Sequence, residues 1–303
     1  MIDFFNINDN TLRNQVFYSN GSSGWQIWNK PSNCNLINFY LIGGGAGGQG
    51  GQINAASTRN GGAGGGSSSI TYITVPSFAI PDTLYLLVGS GGASGGVQGG
   101  AGSLSYVCSI PDITSPYNIL MKSGSAVAGA SVTTTAGLGI TSSDIILSVA
   151  VFISSYDGQT GGAGGVSSGT AGPITPLNIP ITAGAGGAGC SSVGTPGTSG
   201  VILGVLDFPL LSGGINNASA GGTAGSGNNG YSTRENFIGP NFKYPLFFTG
   251  GAGGGAASAT TGIGGKGGDA QYGCGGGGGG AGGNTTAGIG GKGGDGLIII
   301  TVN

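Results

Sequence analysis

Apolar residues along this chain fall into short runs, and most of the runs border a glycine tract. Trp25 to Pro31 alternates, with Trp25, Ile27 and the carbon stem of Asn29 on one face, and Pro31 ends it. From Cys34 to Ile42 the run is nearly continuously apolar: Leu36, Asn38, Tyr40 and Ile42 lie on one face, Ile37, Phe39 and Leu41 on the other. That pattern predicts a strand buried on both sides. Ser69 to Pro76 is rich in the β-branched residues that strands favour. Thr83 to Gly89 is a further strand and runs directly into Gly91 and Gly92. Shorter strands are predicted over Ser103–Cys108, Tyr117–Lys122, Asp144–Ile153 and Val201–Leu206. The chain closes on Leu297-Ile298-Ile299-Ile300-Thr301-Val302, which needs burial and is expected to pair with an N-terminal strand such as 35–42. No stretch carries a useful helical period. The expected fold is all-β, a β-sandwich-like core with glycine-rich polyproline-II (polyglycine) segments.

The glycine tracts have a period of their own. From Gly44 the chain reads Gly-Gly-Ala, Gly-Gly-Gln, Gly-Gly-Gln, and the same register returns at 264–269 and 290–295. A period of three fits neither an α-helix nor a β-strand. It fits the polyproline-II helix, which has three residues per turn and no internal hydrogen bonds. Two of every three positions are then bare backbone, so neighbouring helices can approach and bond to one another. The tracts are therefore expected to form a packed layer. Ile263-Gly-Gly-Lys266-Gly-Gly-Asp269 recurs identically as Ile289 to Asp295. Its third-position residues share one side, and adjacent copies are expected to pair Lys266 with Asp295 and Lys292 with Asp269.

Composition changes this picture little. Glycine supplies 74 of 303 residues, which alone suggests low complexity. The mean hydropathy of +0.22 and a net charge of -2 are opposite to a disordered chain. Two Trp, ten Tyr and eleven Phe stand between the tracts and can supply a core. The expected organisation is a lead-in or anchor over 1–24 and a single glycine-rich β domain over 25–303, with an insertion at about 109–250. The N-terminus has no basic region and no small-residue cleavage site, so no secretory signal is expected. The longest apolar run, Ile145 to Ile153, is too short to span a bilayer as a helix.

Candidate chemistry is sparse. The chain has no histidine, which excludes Ser-His-Asp and Cys-His arrangements. Cys34, Cys108, Cys190 and Cys274 lie far apart and are read as buried free thiols; no cofactor, metal site or catalytic residue is expected. Eight scattered cations form no basic patch, so no nucleic-acid partner is expected, and no membrane insertion either. A carboxylate pair such as Asp207 and Glu235 is the one enzymatic arrangement to weigh, as in a carbohydrate-processing enzyme. Residues 231–249 carry the densest side chains. Tyr231, Arg234, Glu235, Phe237, Phe242 and Tyr244 are candidate contacts for a receptor or partner, or else, with Phe247 and Phe248, a plug against the glycine layer.

The order of these pieces resembles the glycine-rich domain of phage and viral fibre and tail-adhesin proteins. The resemblance rests on Trp28 to Pro31, Asn35 to Gly51, Gly61 to Val75, Leu86 to Gly92, Gly99 to Tyr106 and Gly273 to Val302. It implies a non-enzymatic virion structural surface protein, a fibre, spike or capsid-decorating subunit that acts in assembly and host attachment. Its implied partners are further copies of itself in a trimer or lattice, other virion proteins, and a host surface receptor or glycan. Its implied location is the virion surface. A cellular extracellular filament or matrix protein, polymerising through its apolar termini, is the alternative.

Overall fold

The computed structural model describes residues 13–21, 24–53, 59–124, 152–167, 169–175, 181–191, 193, 195–200, 202, 248–257, 262–283 and 286–303. Nine strands are described: β1 (Arg13–Tyr18), β2 (Gln26–Asn29), β3 (Leu36–Ile42), β4 (Ile70–Pro76), β5 (Thr83–Leu87), β6 (Tyr106–Cys108), β7 (Ile119–Lys122), β8 (Phe152–Tyr156) and β9 (Leu297–Val302). They form two antiparallel sheets, ordered β1-β9-β3-β4-β8 and β2-β5-β6-β7. The C-terminal strand β9 therefore sits inside its sheet, between β1 and β3. The predicted pairing of the last strand with 35–42 is what the register shows, with Leu41 opposite Ile298 and Phe39 opposite Ile300.

The sheets close over one core. Ile37, Phe39, Leu41, Ile73, Val75, Ile298 and Ile300 come from the larger sheet, and Trp28, Leu84, Leu86, Val107 and Met121 from the smaller. Trp28 meets Phe39 edge to face at 6.0 Å. On β2 it is Trp28 that enters the core, while Ile27 and Asn29 face out. The opposite face of the larger sheet is also covered. Tyr40, Ile42, Ile70, Leu297 and Ile299 pack there against Ile181, Phe248, Ala270, Tyr272 and Cys274 from the glycine-rich part. That second cover explains why β3 and β9 are apolar at nearly every position.

The strands meet the glycine tracts at one edge of the larger sheet. Ile42 ends β3 opposite Ile70 and Leu297, which begin β4 and β9; Tyr156 and Tyr18 end β8 and β1 at the same level. From this edge run the tracts 43–52, 60–69, 157–166 and 286–296. The smaller sheet sends out 88–95 and receives 99–105.

Beyond the edge the hydrogen bonds change period. Gly45, Gly48 and Gly51 donate to Gly294, Gly291 and Gly288, while Ala46, Gln49 and Gln52 donate to Gly66, Ala63 and Asn60. Gly44 and Gly47 donate to a third neighbour at Ser103 and Gly100. Successive residues address three different neighbours, as a threefold helix requires.

One tract is surrounded. Within 273–283, Gly275, Gly278 and Ala281 donate to Thr182, Ala185 and Ala188; Gly276, Gly279 and Gly282 donate to Ala46, Gln49 and Gln52; Gly277, Gly280 and Gly283 donate to Gly268, Gly265 and Gly262. Its carbonyls accept from 62, 65 and 68, from 288, 291 and 294, and from 251, 254 and 257. The six neighbours also bond to one another, closing a hexagon in the order 43–52, 286–296, 262–270, 248–257, 181–190 and 60–69. The centre of the hexagon is the longest glycine run of the chain, Gly275 to Gly280. A Cβ at any of these six positions would stand 1.7–2.2 Å from a carbonyl oxygen of a neighbouring tract. The tracts 262–270 and 286–296 carry a side chain at every third position, Ile263, Lys266 and Asp269 in one and Ile289, Lys292 and Asp295 in the other.

Where the two periods join, backbone donors lose their regular partners, and buried polar side chains take them up. Ser105 Oγ accepts from Gly89 N at 3.0 Å and donates to the Ile42 carbonyl at 2.7 Å. Ser69 Oγ accepts from Gly124 N, Ser67 Oγ from Gln159 N and Ser123 Oγ from Ser105 N. On the other flank Thr182 Oγ1 accepts from Gly250 N, and the amide oxygens of Gln159 and Gln271 accept from Ala183 N and Thr249 N. A buried N–H left without such a partner costs about 1–3 kcal/mol.

The repeated Lys and Asp pair differently from the expectation. Lys266 binds Asp269 at 3.0 Å and Lys292 binds Asp295 at 3.1 Å, each within its own copy. In a threefold helix the residue three positions on lies on the same side, so the partner is already in place. The link between copies is made by backbone instead, with Asp269 Oδ1 accepting from Lys292 N at 2.7 Å.

Candidate functional site

The two ends of the molecule differ in what they expose. At the sandwich end Lys30 Nζ donates to the carbonyls of Ser77 and Ile80, both at 2.9 Å, and binds Asp82 at 2.8 Å. These contacts tie the end of β2 to the segment before β5. With Pro31, Ser32, half-buried Cys34 and exposed Phe78 they line a shallow cleft. Nearby, Thr114 and Asn118 hydrogen-bond the Asp112 carboxylate, which holds its pKa below the ordinary value. Phe78 and Tyr117 are the most exposed aromatic side chains among the described residues.

The far end of the glycine array is built from turns. Tract 43–52 has risen about 28 Å, at ~3.1 Å per residue, when it reaches its last bonds to the array. There Gln52 N donates to Asn60 O, Gly61 N to Gly165 O, and Arg59 and Cys190 exchange backbone bonds. Four branched aliphatic side chains are exposed where described tracts reach this end: Ile53, Val97, Val166 and Val193, with exposures of 51, 81, 60 and 78 %. The sequence at 53–58, 96–98, 166–168 and 191–195 contains no charged and no aromatic residue. Arg59, the one cation beside these turns among the described residues, is fully buried. These four aliphatics were not singled out by sequence reasoning. Their signal is a lone Ile or Val at the end of a Gly-Gly-X register.

Tyr231, Arg234, Glu235, Phe237, Phe242 and Tyr244 lie outside the described residues, as do Asp207 and Phe247. The residues on either side of that segment stand at the sheet end of the array. Ile202 bridges Ile174, and Phe248 bridges Ile181 and packs edge to face on Tyr272 at 5.3 Å. Phe248 is thus part of the cover over the larger sheet.

Among the described residues no group of three or more Cys, Asp or Glu side chains could hold a metal ion. The four cysteines are free thiols. Burial pushes the Cys108 thiol up to about 12, with the Asp112 charge adding to the effect, and burial raises Cys274 as well. Raised thiols are poor nucleophiles. No helix among the described residues is long and apolar enough to cross a membrane.

A family model described as a glycine-rich domain matches residues 20–145. The matched stretch contains β2 through β7 and the tracts 43–52, 60–69, 88–95 and 99–105, and it ends before the surrounded tract at 273–283. No curated protein matches the chain.

Proposed function

We propose that the chain is a structural surface protein of a virion, a fibre, spike or capsid-decorating subunit, and that its turn-bearing end faces the host or a neighbouring subunit. The observation that carries this reading is the exposure of Ile53, Val97, Val166 and Val193 at the end of a backbone-bonded glycine array. Such an array is stiff, because its hydrogen bonds run between helices in every lateral direction. It is suited to holding a contact surface away from an anchored base. The exposed Phe78 and Tyr117 at the sandwich end suit attachment to the rest of an assembly, since aromatic side chains are enriched at protein interfaces.

A filament that polymerised through its apolar C-terminus would need a free β9, and that strand is interior to its sheet. The test is the native mass of the purified chain together with negative-stain images. A closed oligomer, or decoration of a particle, is the expected result. A monomer that joins no assembly and binds no cell overturns the reading.

A further inference from the structure

The repeated heptapeptide has so far no role beyond its own ion pairs, and its position suggests one. The tracts 262–270 and 286–296 are neighbours, run parallel, and are offset by one turn: Gly264, Gly267 and Ala270 donate to Thr286, Ile289 and Lys292. Both carry their side chains on the outside of the hexagon. Ile263 and Ile289 are about half exposed, and the side chains of Lys266, Asp269, Lys292 and Asp295 have exposures of 39, 40, 50 and 21 %. Among the described residues no further tract bonds to this side.

A threefold glycine helix at such an edge has an outward row of N–H groups, one every three residues. In 286–296 the other two rows are already used. Gly288, Gly291 and Gly294 donate to the surrounded tract, and Gly290, Gly293 and Gly296 donate to 88–95. Lys292 N belongs to the remaining row and meets no backbone carbonyl among the described residues. Asp269 Oδ1 accepts it at 2.7 Å. The same device recurs one tract further on, where Asp295 Oδ1 accepts from Gly91 N at 2.7 Å. Each carboxylate is held by the lysine one turn before it in its own tract.

We infer that the Ile-Gly-Gly-Lys-Gly-Gly-Asp rows are the closed edge of the polyglycine lattice, and that they prevent a glycine tract of a second copy from adding to this face. An uncapped edge would offer free donors beside bare backbone, the same hazard that an exposed edge strand carries in a sheet. The aspartates occupy two of these donors, Lys292 N and Gly91 N, and the Ile, Lys and Asp side chains keep another backbone from the close approach that the lattice needs. Two edge tracts lie side by side on this face, so the closing sequence occurs twice. The inference concerns the edge alone and holds whatever the assembly does.

The test compares sedimentation velocity over a concentration series for wild type and three variants of the full chain. Combining Lys266→Gly, Asp269→Gly, Lys292→Gly and Asp295→Gly opens the edge, and is expected to give species of at least twice the wild-type mass that grow with concentration. Asp269→Asn with Asp295→Asn keeps an acceptor oxygen and side-chain bulk at each site, and is expected to sediment as wild type. A folded glycine variant with unchanged mass overturns the inference, and so does an asparagine variant that associates as strongly as the glycine one. Should the glycine variant not fold, Asp269→Ala with Asp295→Ala is read by amide hydrogen exchange. At least tenfold faster exchange at Lys292 and Gly91 is expected, and unchanged exchange at both overturns the caps.

Discussion

A Cβ placed on Gly278 would stand 2.0 Å from the carbonyl oxygen of Gly62, and that oxygen also accepts the N–H of Gly187. The obstacle is backbone held by its own lattice bond, so no side-chain rotation relieves it. Gly278→Ala is therefore expected to cost more than the ~1–3 kcal/mol usual for an overpacked core. Gly96 is the matched control. A Cβ there meets nothing within 4 Å, and the residue is exposed. Gly96→Ala should be neutral or stabilising by up to about 1 kcal/mol, through the unfolded state. Urea unfolding of the two variants checks the contrast, and equal losses would mean that the lattice is not close-packed in solution.

Much of this architecture is legible in the chain. Leu36–Ile42, Ile70–Pro76, Thr83–Leu87 and Leu297–Val302 stand out as strands because they combine β-branched or aromatic residues with abrupt glycine borders. The three-residue register announces threefold helices. Which tract is central is also written there, since only a tract with neighbours on all sides has no room for any side chain, and 275–280 is the one run of six glycines. Three features are not legible. Whether Ile27 or Trp28 enters the core depends on which face of β2 meets the larger sheet, and alternation alone gives both options. The offset of one turn between 262–270 and 286–296 is set by packing, so the aspartate reaching a neighbour's backbone could not be read from the repeat. The turn aliphatics escape notice for another reason: a single Val among glycines has no pattern until the fold places four such residues at one end.

The buried serines between sheet and array are the next place to probe. Ser105 is fully buried and serves both Gly89 N and the Ile42 carbonyl. Ser105→Ala leaves that donor and that acceptor without the hydroxyl, and a loss of about 1–3 kcal/mol is expected. Ser103 makes a similar contact, with Ser90 N at 2.7 Å, in an exposed setting where water can replace the hydroxyl. Ser103→Ala should cost under ~1 kcal/mol. If the two variants unfold at the same denaturant concentration, the buried hydroxyls do not hold the junction.

Stability should fall in alkaline solution on account of the thiols. Burial raises Cys108 to about 12 and raises Cys274 in the same direction. Below the ordinary thiol value of about 8.5 both folded and unfolded chains are protonated, and the full stability is present. As pH rises from there toward the folded value, the unfolded chain ionises while the folded one keeps its protons. The loss approaches ~1.4 kcal/mol per pH unit for each such thiol. Urea midpoints measured at about pH 8, 9 and 10 should therefore decline, and Cys108→Ala should flatten the decline. A variant whose midpoints run parallel to those of wild type across this range would show that Cys108 ionises as easily folded as unfolded.

Strand β9 separates two cores, and its alternate residues should report on them separately. Ile300 is fully buried among the residues that join the two sheets, opposite Phe39. Its neighbour Ile299 points the other way, into the cluster with Tyr272 and Cys274 at the foot of the surrounded tract. Either change to Ala removes buried methyl groups and is expected to cost about 2–5 kcal/mol. The locations of the damage should differ. Ile300→Ala is expected to speed amide exchange in β2 and β5, because Trp28, Leu84 and Leu86 lose a packing partner. Ile299→Ala is expected to speed it in 270–276, where the array rests on the sheet. Sub-global openings of this kind are what native-state exchange resolves. Faster exchange in the same segments for both variants would mean that sheet and array open as one unit, and that β9 does not divide them.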